Sequence, residues 1–268
     1  MRKNLLKEKM ARGERTTNGW LAFGSSYAAE VMGHAGFDSV TVDCQHGMFD
    51  FNQALPMLQA LSATPTVPIV RAPWNDTAVI MHLLDAGAYG VVCPMINNRE
   101  EAERLVGACR YAPAGMRSFG PARGILYGGA DYFDHANNEI LVFAMIETLD
   151  GIKHLDDILA TPGLDGIYIG PNDLALVLGA RPGTDLNDSR CIDTIAHILA
   201  RAKAHQKFAG IFCADGQVGA IRRAQGFDLV TLSHEGNLLT TAAKAAIAAA
   251  LALAPSPNPN AAKPTTGY

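Results

Sequence analysis

Short apolar segments rich in β-branched residues recur along the chain, and helical periodicity follows most of them. The predicted strands are Trp20–Phe23, Ser39–Asp43, Pro68–Arg71, Gly90–Pro94, Leu141–Glu147, Gly166–Gly170, Phe208–Phe212 and Leu229–Ser233. Because nearly all of their residues are apolar, these segments are typical of parallel strands that helices cover on both faces.

The length of the repeat favours one architecture. Without about 16 leading and 14 trailing residues, the 268-residue chain has roughly 30 residues for each of eight strand–helix units, which is the unit length of a TIM (β/α)8 barrel. An open doubly wound sheet is the alternative, but no GxGxxG motif follows the first predicted strand. We therefore predict an α/β protein with one TIM-barrel domain over residues 1–254, including an N-terminal and a C-terminal helix.

Two segments depart from this repeat. Residues 255–268 contain four prolines, and we expect them to form a disordered tail. The glycine-rich stretch Tyr111–Asn138 has no clear periodicity, which predicts a long loop over one face of the barrel.

Charge and cysteine content exclude several functional classes. The net charge of −4 and the pI of about 6.0 predict no basic surface for nucleic acid or an anionic membrane. The five cysteines include no CxxC pair, so we expect reduced thiols in a cytoplasmic protein. We expect no signal peptide and no membrane span, because the N-terminal residues lack an apolar core and the alanine-rich C-terminal region is only weakly apolar.

Polar side chains stand at the ends of several predicted strands, where TIM barrels carry their active sites. Asp43 and His46 follow or end the second strand, and Arg71 ends the third. Glu147 ends the fifth strand, and Asp173 follows the sixth. We predict that these five side chains surround one mouth of the barrel. Two carboxylates without a nearby cysteine suit a hard cation such as Mg²⁺ or Mn²⁺.

Each of these residues also has a structural alternative. Asp43 and His46 can cap the turn that follows their strand, and Asp173 can be the N-cap of a helix. Arg71 is costly to bury without an anion, and an ion pair with Glu147 or Asp173 would provide one. Their common position at one end of the barrel favours the functional interpretation.

The positions of the lysines argue against one competing chemistry. None of the eight lysines ends a predicted strand, so none is placed to form a Schiff base in the mouth of the barrel. The sequence also lacks a GxSxG nucleophile motif and a P-loop.

In the same order along the chain, these residues resemble the HpcH/HpaI family of metal-dependent pyruvate aldolases. The resemblance covers roughly residues 5–250. The matching segments are Asp43–Gly47, Val70–Asp76, Leu83–Ala88, Pro94–Met95, Tyr111–Ser118, Ile146–Thr148 and Gly166–Leu174.

The resemblance implies a role for each of the clustered residues. Glu147 and Asp173 match the metal ligands of the family, in which the metal chelates the carboxylate and keto oxygens of pyruvate. His46 matches the general base, Asp43 its orienting partner, and Arg71 the residue that stabilises the enolate oxygen.

The resemblance also implies substrate contacts and an assembly. Backbone N–H groups of the turn from Gly170 through Pro171 and Asn172 to Asp173 are expected to hold the pyruvate carboxylate, with Gln45 and Trp20 near the substrate. Asp85 matches a carboxylate that reaches the histidine of a neighbouring subunit. The expected assembly is a hexamer, a trimer of dimers, with the C-terminal helix exchanged between subunits.

The implied activity is reversible cleavage of 4-hydroxy-2-keto acids to pyruvate or hydroxypyruvate and an aldehyde, through an enolate held by Mg²⁺, Mn²⁺ or Co²⁺. The chain departs from the family at Gln45, where glutamate is common, and at Met145, where glutamine is common. Both changes bear on substrate choice and leave the metal ligands and the base intact.

Two other functions are weighed against this one. A CoA-ester lyase of the citrate-lyase and malyl-CoA-lyase branch would need a basic groove, which a chain of net charge −4 does not indicate. A non-catalytic barrel that serves in assembly would have lost His46, Arg71, Glu147 or Asp173, and all four are present.

Overall fold

A computed structural model describes residues 1–252, and within them eight parallel strands form a closed barrel in the order β1 to β8. Parallel pairing of β1 with β8 closes the barrel. The predicted TIM barrel is therefore confirmed. The strands are β1 (Thr16–Leu21), β2 (Ser39–Asp43), β3 (Val67–Arg71), β4 (Gly90–Cys93), β5 (Leu141–Met145), β6 (Gly166–Ile169), β7 (Phe208–Cys213) and β8 (Leu229–Leu232).

Helices follow the strands, and several begin at a polar cap just beyond a strand. Ser25, Asp50, Asp76 and Asn98 each accept a hydrogen bond from the first turn of their helix. The helices are α1 (Leu5–Ala11), α2 (Ser26–Gly33), α3 (Phe51–Ser62), α4 (Thr77–Asp85), α5 (Arg99–Cys109), α6 (Ala122–Gly128), α7 (Tyr132–Glu139), α8 (Leu149–Lys153), α9 (Leu155–Leu159), α10 (Pro171–Val177), α11 (Ser189–Ala204), α12 (Gly216–Gln225) and α13 (Glu235–Ala252).

The first strand begins at Thr16, four residues before its predicted start. The prediction missed these opening residues because most of them are polar. Asn18 is fully buried, donates to the Thr231 hydroxyl at 2.8 Å and accepts from the hydroxyls of Ser39 and Thr41 at 2.8 and 3.1 Å. Tyr168 adds a 2.6 Å hydrogen bond to Thr231. A polar network therefore occupies part of the barrel interior, where a search for apolar residues finds no strand.

The prediction of a long loop over Tyr111–Asn138 was wrong. This stretch contains α6 and most of α7, and Tyr132 is fully buried. The ring of Tyr127 packs edge to face on Tyr89, just before β4, with centroids 4.9 Å apart. The segment therefore packs near the starts of the strands, at the end opposite the predicted site.

The N-terminal helix α1 also lies at the end of the barrel where the strands begin. Leu6 and Met10 are buried in the core, and Lys9 pairs with Asp38 at 2.6 Å, one residue before β2. The predicted N-terminal helix is thereby confirmed, and it leaves the opposite mouth of the barrel free for ligands.

The described chain forms two compact units, one from Met1 to Glu235 and one that begins at Gly236. The second unit contains almost all of helix α13. The predicted domain boundary at residue 254 and the tail over 255–268 lie outside the described residues. Within residues 1–252, no helix is both long and apolar enough to cross a membrane.

Candidate active site

Asp43, at the end of β2, is the centre of a buried hydrogen-bond network. Its carboxylate accepts from Arg71 Nε at 2.8 Å and Nη2 at 2.5 Å, from Trp20 Nε1 at 3.0 Å, and from the backbone N–H groups of Gln45 and His46 at 3.1 and 3.2 Å. Burial by itself raises the pKa of Asp43. The hydrogen bonds and the charge of Arg71, together with the hydrogen bonds from the Trp20 ring and the His46 backbone, nevertheless hold this pKa below its ordinary value. Asp43 is therefore a carboxylate that fixes the arginine and the turn after β2.

The Arg71 side chain is held on two sides. Besides its paired hydrogen bonds to Asp43, its guanidinium lies over the Trp20 ring, 4.9 Å from the centroid. Nη1 donates no hydrogen bond to any residue in the described part of the chain. The structure thus pairs Arg71 with Asp43, and Nη1 remains available to an anionic ligand.

His46 is exposed and lines the same cavity. Asp43 accepts a hydrogen bond from the backbone N–H of His46 and not from its imidazole. Asp43 therefore orients the turn that carries His46, and within the described residues the ring itself has no protein hydrogen-bond partner. An accessible imidazole in this position can accept a proton from a ligand in the cavity.

Glu147 lies two residues beyond β5 and is almost fully buried. Its Oε1 accepts from the backbone N–H of Met95 at 3.0 Å, whereas Oε2 is buried with no hydrogen-bond partner among residues 1–252. Met95 has a φ of 58°, a left-handed backbone conformation that residues other than glycine rarely adopt and that is found more often at functional sites. Burial, assisted by the charge of Asp173, raises the pKa of Glu147 to about 7.

Gly170 packs closely against the Glu147 carboxylate. A Cβ atom at position 170 would lie 2.4 Å from Glu147 Oε2 and 3.1 Å from the Met145 methyl group. Only glycine leaves room for the carboxylate here, although the backbone φ of −94° would suit any residue.

Asp173 is in the first turn of α10 and lines the cavity with an exposed carboxylate. The N-cap of α10 is Gly170, with no side-chain capping hydrogen bond, so the capping alternative for Asp173 does not hold. The Asn172 side chain accepts from the Gly183 N–H at 3.0 Å and holds the loop after α10, which leaves its main chain for a ligand.

The donor set fits a divalent cation. In the described chain, Glu147 has a buried carboxylate oxygen without a hydrogen-bond partner, and Asp173 adds a second carboxylate that no Lys or Arg side chain pairs with. Within residues 1–252, no third His, Cys, Asp or Glu side chain joins them, since no group of three or more such side chains is placed to hold a metal ion. Two carboxylates, completed by water and substrate oxygens, are the usual protein contribution to a Mg²⁺ site.

Most of the predicted residues line one cavity of about 350 Å³. The cavity is lined by Trp20, Ala22, Asp43, His46, Arg71, Met145, Tyr168, Gly170, Pro171, Asn172, Asp173, Phe212 and His234. Glu147 lies directly behind Gly170. Most of the predicted site is therefore assembled within one chain.

Two predicted residues lie elsewhere. Asp85 ends α4 and pairs with the buried Arg117 at 2.6 Å, so it does not line the cavity of its own chain. Gln45 is half-buried beside His46, and its side chain does not line the cavity either.

Sequence reasoning missed Ala22, Met145 as a lining residue, Tyr168, Phe212 and His234. Four of them are apolar or aromatic residues in strands or just beyond them, and these look like ordinary core residues in a sequence. His234 carried a usable signal, because it is a polar residue that follows the last strand.

A parallel barrel with two unpaired carboxylates and an Asp–Arg pair at the strand ends is a TIM-barrel enzyme site. The sequence model of the family described as HpcH/HpaI aldolase/citrate lyase matches residues 18–242. The hydroxypyruvate/pyruvate aldolase of Rhizorhabdus wittichii is 42% identical over 236 residues, which cover 88% of this chain and 94% of that protein. The 5-keto-4-deoxy-D-glucarate aldolase of Escherichia coli O157:H7 is 38% identical over 210 residues, covering 78% and 81%.

A solved structure agrees with these matches. An HpcH/HpaI aldolase/citrate lyase family protein from Burkholderia cenocepacia superposes with a TM-score of 0.86 at 30% identity, over 92% of this chain and 99% of that one. The chain belongs to the HpcH/HpaI aldolase/citrate lyase family. Both activities in that description are those of carbon–carbon lyases, and members of the family depend on a divalent metal.

Proposed function

We propose that the protein is a class II pyruvate aldolase that cleaves 4-hydroxy-2-keto acids to an aldehyde and pyruvate or hydroxypyruvate. The observation that carries this proposal is the buried Oε2 of Glu147, which has no hydrogen-bond partner in the part of the chain that the structure describes and is close enough to Asp173 to feel its charge. The 42% identity to a hydroxypyruvate/pyruvate aldolase supports the choice of donor.

Glu147 and Asp173 are the residues that would hold the cation. Mg²⁺, Mn²⁺ or Co²⁺ bound there would supply positive charge for the keto and carboxylate oxygens of the substrate. The backbone N–H groups at the start of α10, at Asn172 and Asp173, would bind the carboxylate of the keto acid. Gly170 and Pro171 form the wall on which that end of the substrate lies.

Arg71 and His46 divide the remaining chemistry. Arg71, fixed by Asp43 and Trp20, directs its Nη1 group to the keto oxygen and stabilises the negative charge that develops there. His46 removes the proton of the C4 hydroxyl, the C3–C4 bond breaks, and its electron pair forms the enolate while the aldehyde leaves. A proton delivered to C3 of the enolate then gives pyruvate.

The proposal includes a homo-oligomer. Asp85 is outside the cavity of its own chain, so a role beside His46 requires a second subunit. A hexamer arranged as a trimer of dimers, with exchanged C-terminal helices, would supply it. We also propose a cytoplasmic location and small-molecule partners alone, a keto acid and an aldehyde, with no nucleic acid and no membrane; the five free cysteines support the location.

The CoA-ester lyase alternative lacks support at the cavity. Arg71 is the one Lys or Arg side chain that lines it in the described chain, and its Nε and Nη2 groups are bound to Asp43. A cofactor with a 3′-phosphate and a pyrophosphate would need further cations.

Pyruvate release from a 4-hydroxy-2-keto acid, coupled to lactate dehydrogenase, tests the proposal. We expect activity to vanish in EDTA and to return with Mg²⁺ or Mn²⁺, and Glu147→Gln and Asp173→Asn to lower kcat/KM by about 10³-fold. The control is Glu100→Gln, the same change at a glutamate on α5 whose side chain is 84% exposed, and we expect it to leave kcat/KM unchanged. Full activity in EDTA would refute the metal-dependent mechanism.

A further inference from the structure

The cavity has two different walls. The residues proposed for catalysis follow β2, β3, β5 and β6, whereas β7, β8 and β1 supply Phe212, His234, Ala22 and Trp20. Trp20 Nε1 is bound to Asp43. On this second wall of the described cavity, His234 is therefore the one side chain with hydrogen-bonding groups left for a ligand.

The backbone on both sides of His234 is fixed. Ser233 is buried with a φ of 69°, and its N–H donates to the Cys213 carbonyl at 3.0 Å. Glu235 is buried, and its Oε1 accepts from the backbone N–H groups of Ala22 and Phe23 at 2.6 and 2.7 Å. A left-handed serine persists only where its surroundings enforce it, so His234 is held in place at the top of β8.

The two ring nitrogens of His234 differ in access. Nδ1 is buried and has no hydrogen-bond partner within residues 1–252. Nε2 also has no hydrogen-bond partner in the described chain, but unlike Nδ1 it is not buried. Because the residue lines the cavity, Nε2 is the nitrogen that a bound substrate can reach.

The position of His46, the proposed base, determines which part of the substrate contacts this second wall. The aldehyde oxygen must lie within reach of His46 after β2, and β1 and then β8 are the next strands around the barrel on that side. Substituents of the aldehyde therefore extend towards Ala22 and His234, while the keto acid occupies the opposite wall.

The charge of the second wall favours a neutral substituent. Glu235 places a carboxylate behind this wall, and its Oε2 has no hydrogen-bond partner among the described residues. No lysine or arginine lines this side of the cavity in the described chain. A second carboxylate on the aldehyde would be repelled here, whereas a hydroxyl group can hydrogen-bond to an imidazole nitrogen at no electrostatic cost.

We propose that His234 is a specificity-determining residue that selects hydroxyaldehydes, through a hydrogen bond from Nε2 to the hydroxyl on the carbon next to the reacting carbonyl. The proposal rests on the aldolase function above and names the class of aldehyde that this site takes. The flanking Phe212 and Trp20 rings pack against the carbon chain.

Glycolaldehyde and propanal are a matched pair for the test, because a hydroxyl replaces a methyl group of similar size. With pyruvate as donor, we expect wild-type kcat/KM to favour glycolaldehyde by about tenfold. His234→Phe removes this preference. His234→Gln, whose amide reaches the position of Nε2, keeps most of it, and His234→Asn, which reaches only the position of Nδ1, does not. His197→Phe, on an exposed residue of α11, is the control and leaves the ratio unchanged.

A ratio of two aldehydes separates selection from stability, because a partly unfolded variant loses both activities equally. An unchanged ratio in His234→Phe, or a wild-type enzyme that prefers propanal, would overturn the proposal. Exchange of the pyruvate methyl protons with deuterated solvent by the wild-type enzyme, without any aldehyde, tests the aldolase function separately. If exchange occurs and the ratio does not respond to His234, only the assignment of His234 fails.

Discussion

Where the strands begin, four carboxylates each meet a cation and a backbone N–H, whereas at the opposite end of the barrel Glu147 and Asp173 meet no cation in the described chain. Asp38 pairs with Lys9 and accepts from Thr17 N–H at 2.7 Å. Glu139 pairs with Lys3 at 2.8 Å and also accepts from a backbone N–H. The other two, Asp165 and Asp228, each pair with two cations.

Three of these aspartates follow one rule. Asp38, Asp165 and Asp228 stand directly before β2, β6 and β8 and accept from the N–H groups of Thr17, Val142 and Ala209 in the preceding strands. They occupy equivalent positions in Gly-Phe-Asp, Gly-Leu-Asp and Gly-Phe-Asp segments. This end of the barrel is thus satisfied within the chain.

The opposite end is satisfied only in part. Asp43 has its full set of partners, which hold Arg71 and the turn that carries His46. Glu147 has one carboxylate oxygen without a partner in the described chain. Burial raises the pKa of Glu147 to about 7. For Asp38, by contrast, the hydrogen bonds and charge of Lys9 and the hydrogen bonds from Thr17 outweigh burial and lower the pKa. Carboxylates with complete partners stabilise the fold, and those left incomplete are available to a ligand.

The largest effect is expected from Gly170→Ala. A Cβ atom would lie 2.4 Å from Glu147 Oε2, which is the end of a flexible side chain, so the carboxylate moves and the backbone does not. We expect kcat/KM for pyruvate release to fall by about 10³-fold, while the melting temperature changes little. Steady-state kinetics and thermal unfolding of the same preparation measure both.

Gly36→Ala, at the other end of the barrel, is the matched control. Its φ of 98° strains any side chain, although no atom lies within 4 Å of the added Cβ. We expect a loss of about 1 kcal/mol in unfolding free energy and unchanged kcat/KM. Loss of activity in Gly36→Ala, or full activity in Gly170→Ala, would contradict the division between the two ends.

Asp228→Asn is expected to have the next largest effect. Its carboxylate is 4% exposed and pairs with both Arg15 and Lys203, so the neutral amide leaves these cations with no anion. We expect the unfolding free energy to fall by about 3 kcal/mol. Urea unfolding measures this loss, and kcat of the folded enzyme should stay within about twofold of wild type, because Asp228 is far from the groups proposed to react. A loss of kcat without a loss of stability would contradict this assignment.

The barrel and the main site residues could be predicted because parallel strands are apolar runs and active sites lie at their ends. The start of β1 could not, since Asn18 is a buried polar residue whose partners come from β2 and β8. The unpaired state of Glu147 was also beyond prediction, because it depends on which neighbours fail to reach Oε2. The repeated Gly-x-Asp segments were visible in the sequence, but their role requires knowledge of which strands are adjacent.

The smallest expected effect is on stability, which should depend on pH in opposite directions for carboxylates at the two ends of the barrel. Glu147→Gln tests the end that carries the proposed site. The pKa of Glu147 is about 7 in the folded protein and 4.5 as an ordinary glutamate. Between these values the folded state holds a proton that the unfolded state has released, so stability falls as pH rises. Without metal, Glu147→Gln should be more stable than wild type by about 2 kcal/mol at pH 8, and the two should converge below about pH 4.5.

Asp38→Asn provides the other half, with the opposite sign. The pKa of Asp38 is lowered below 3.8, so its contribution to stability is complete above that value and is lost as pH falls through the lower, folded-state pKa. We expect Asp38→Asn to be less stable than wild type by about 1 kcal/mol at pH 7, with the difference shrinking in acid. Urea unfolding in EDTA across pH 3–8 measures both variants. If Glu147→Gln also destabilises the metal-free protein at pH 8, the Glu147 carboxylate is satisfied within the chain, and the contrast between the two ends fails at the residue on which the metal site depends.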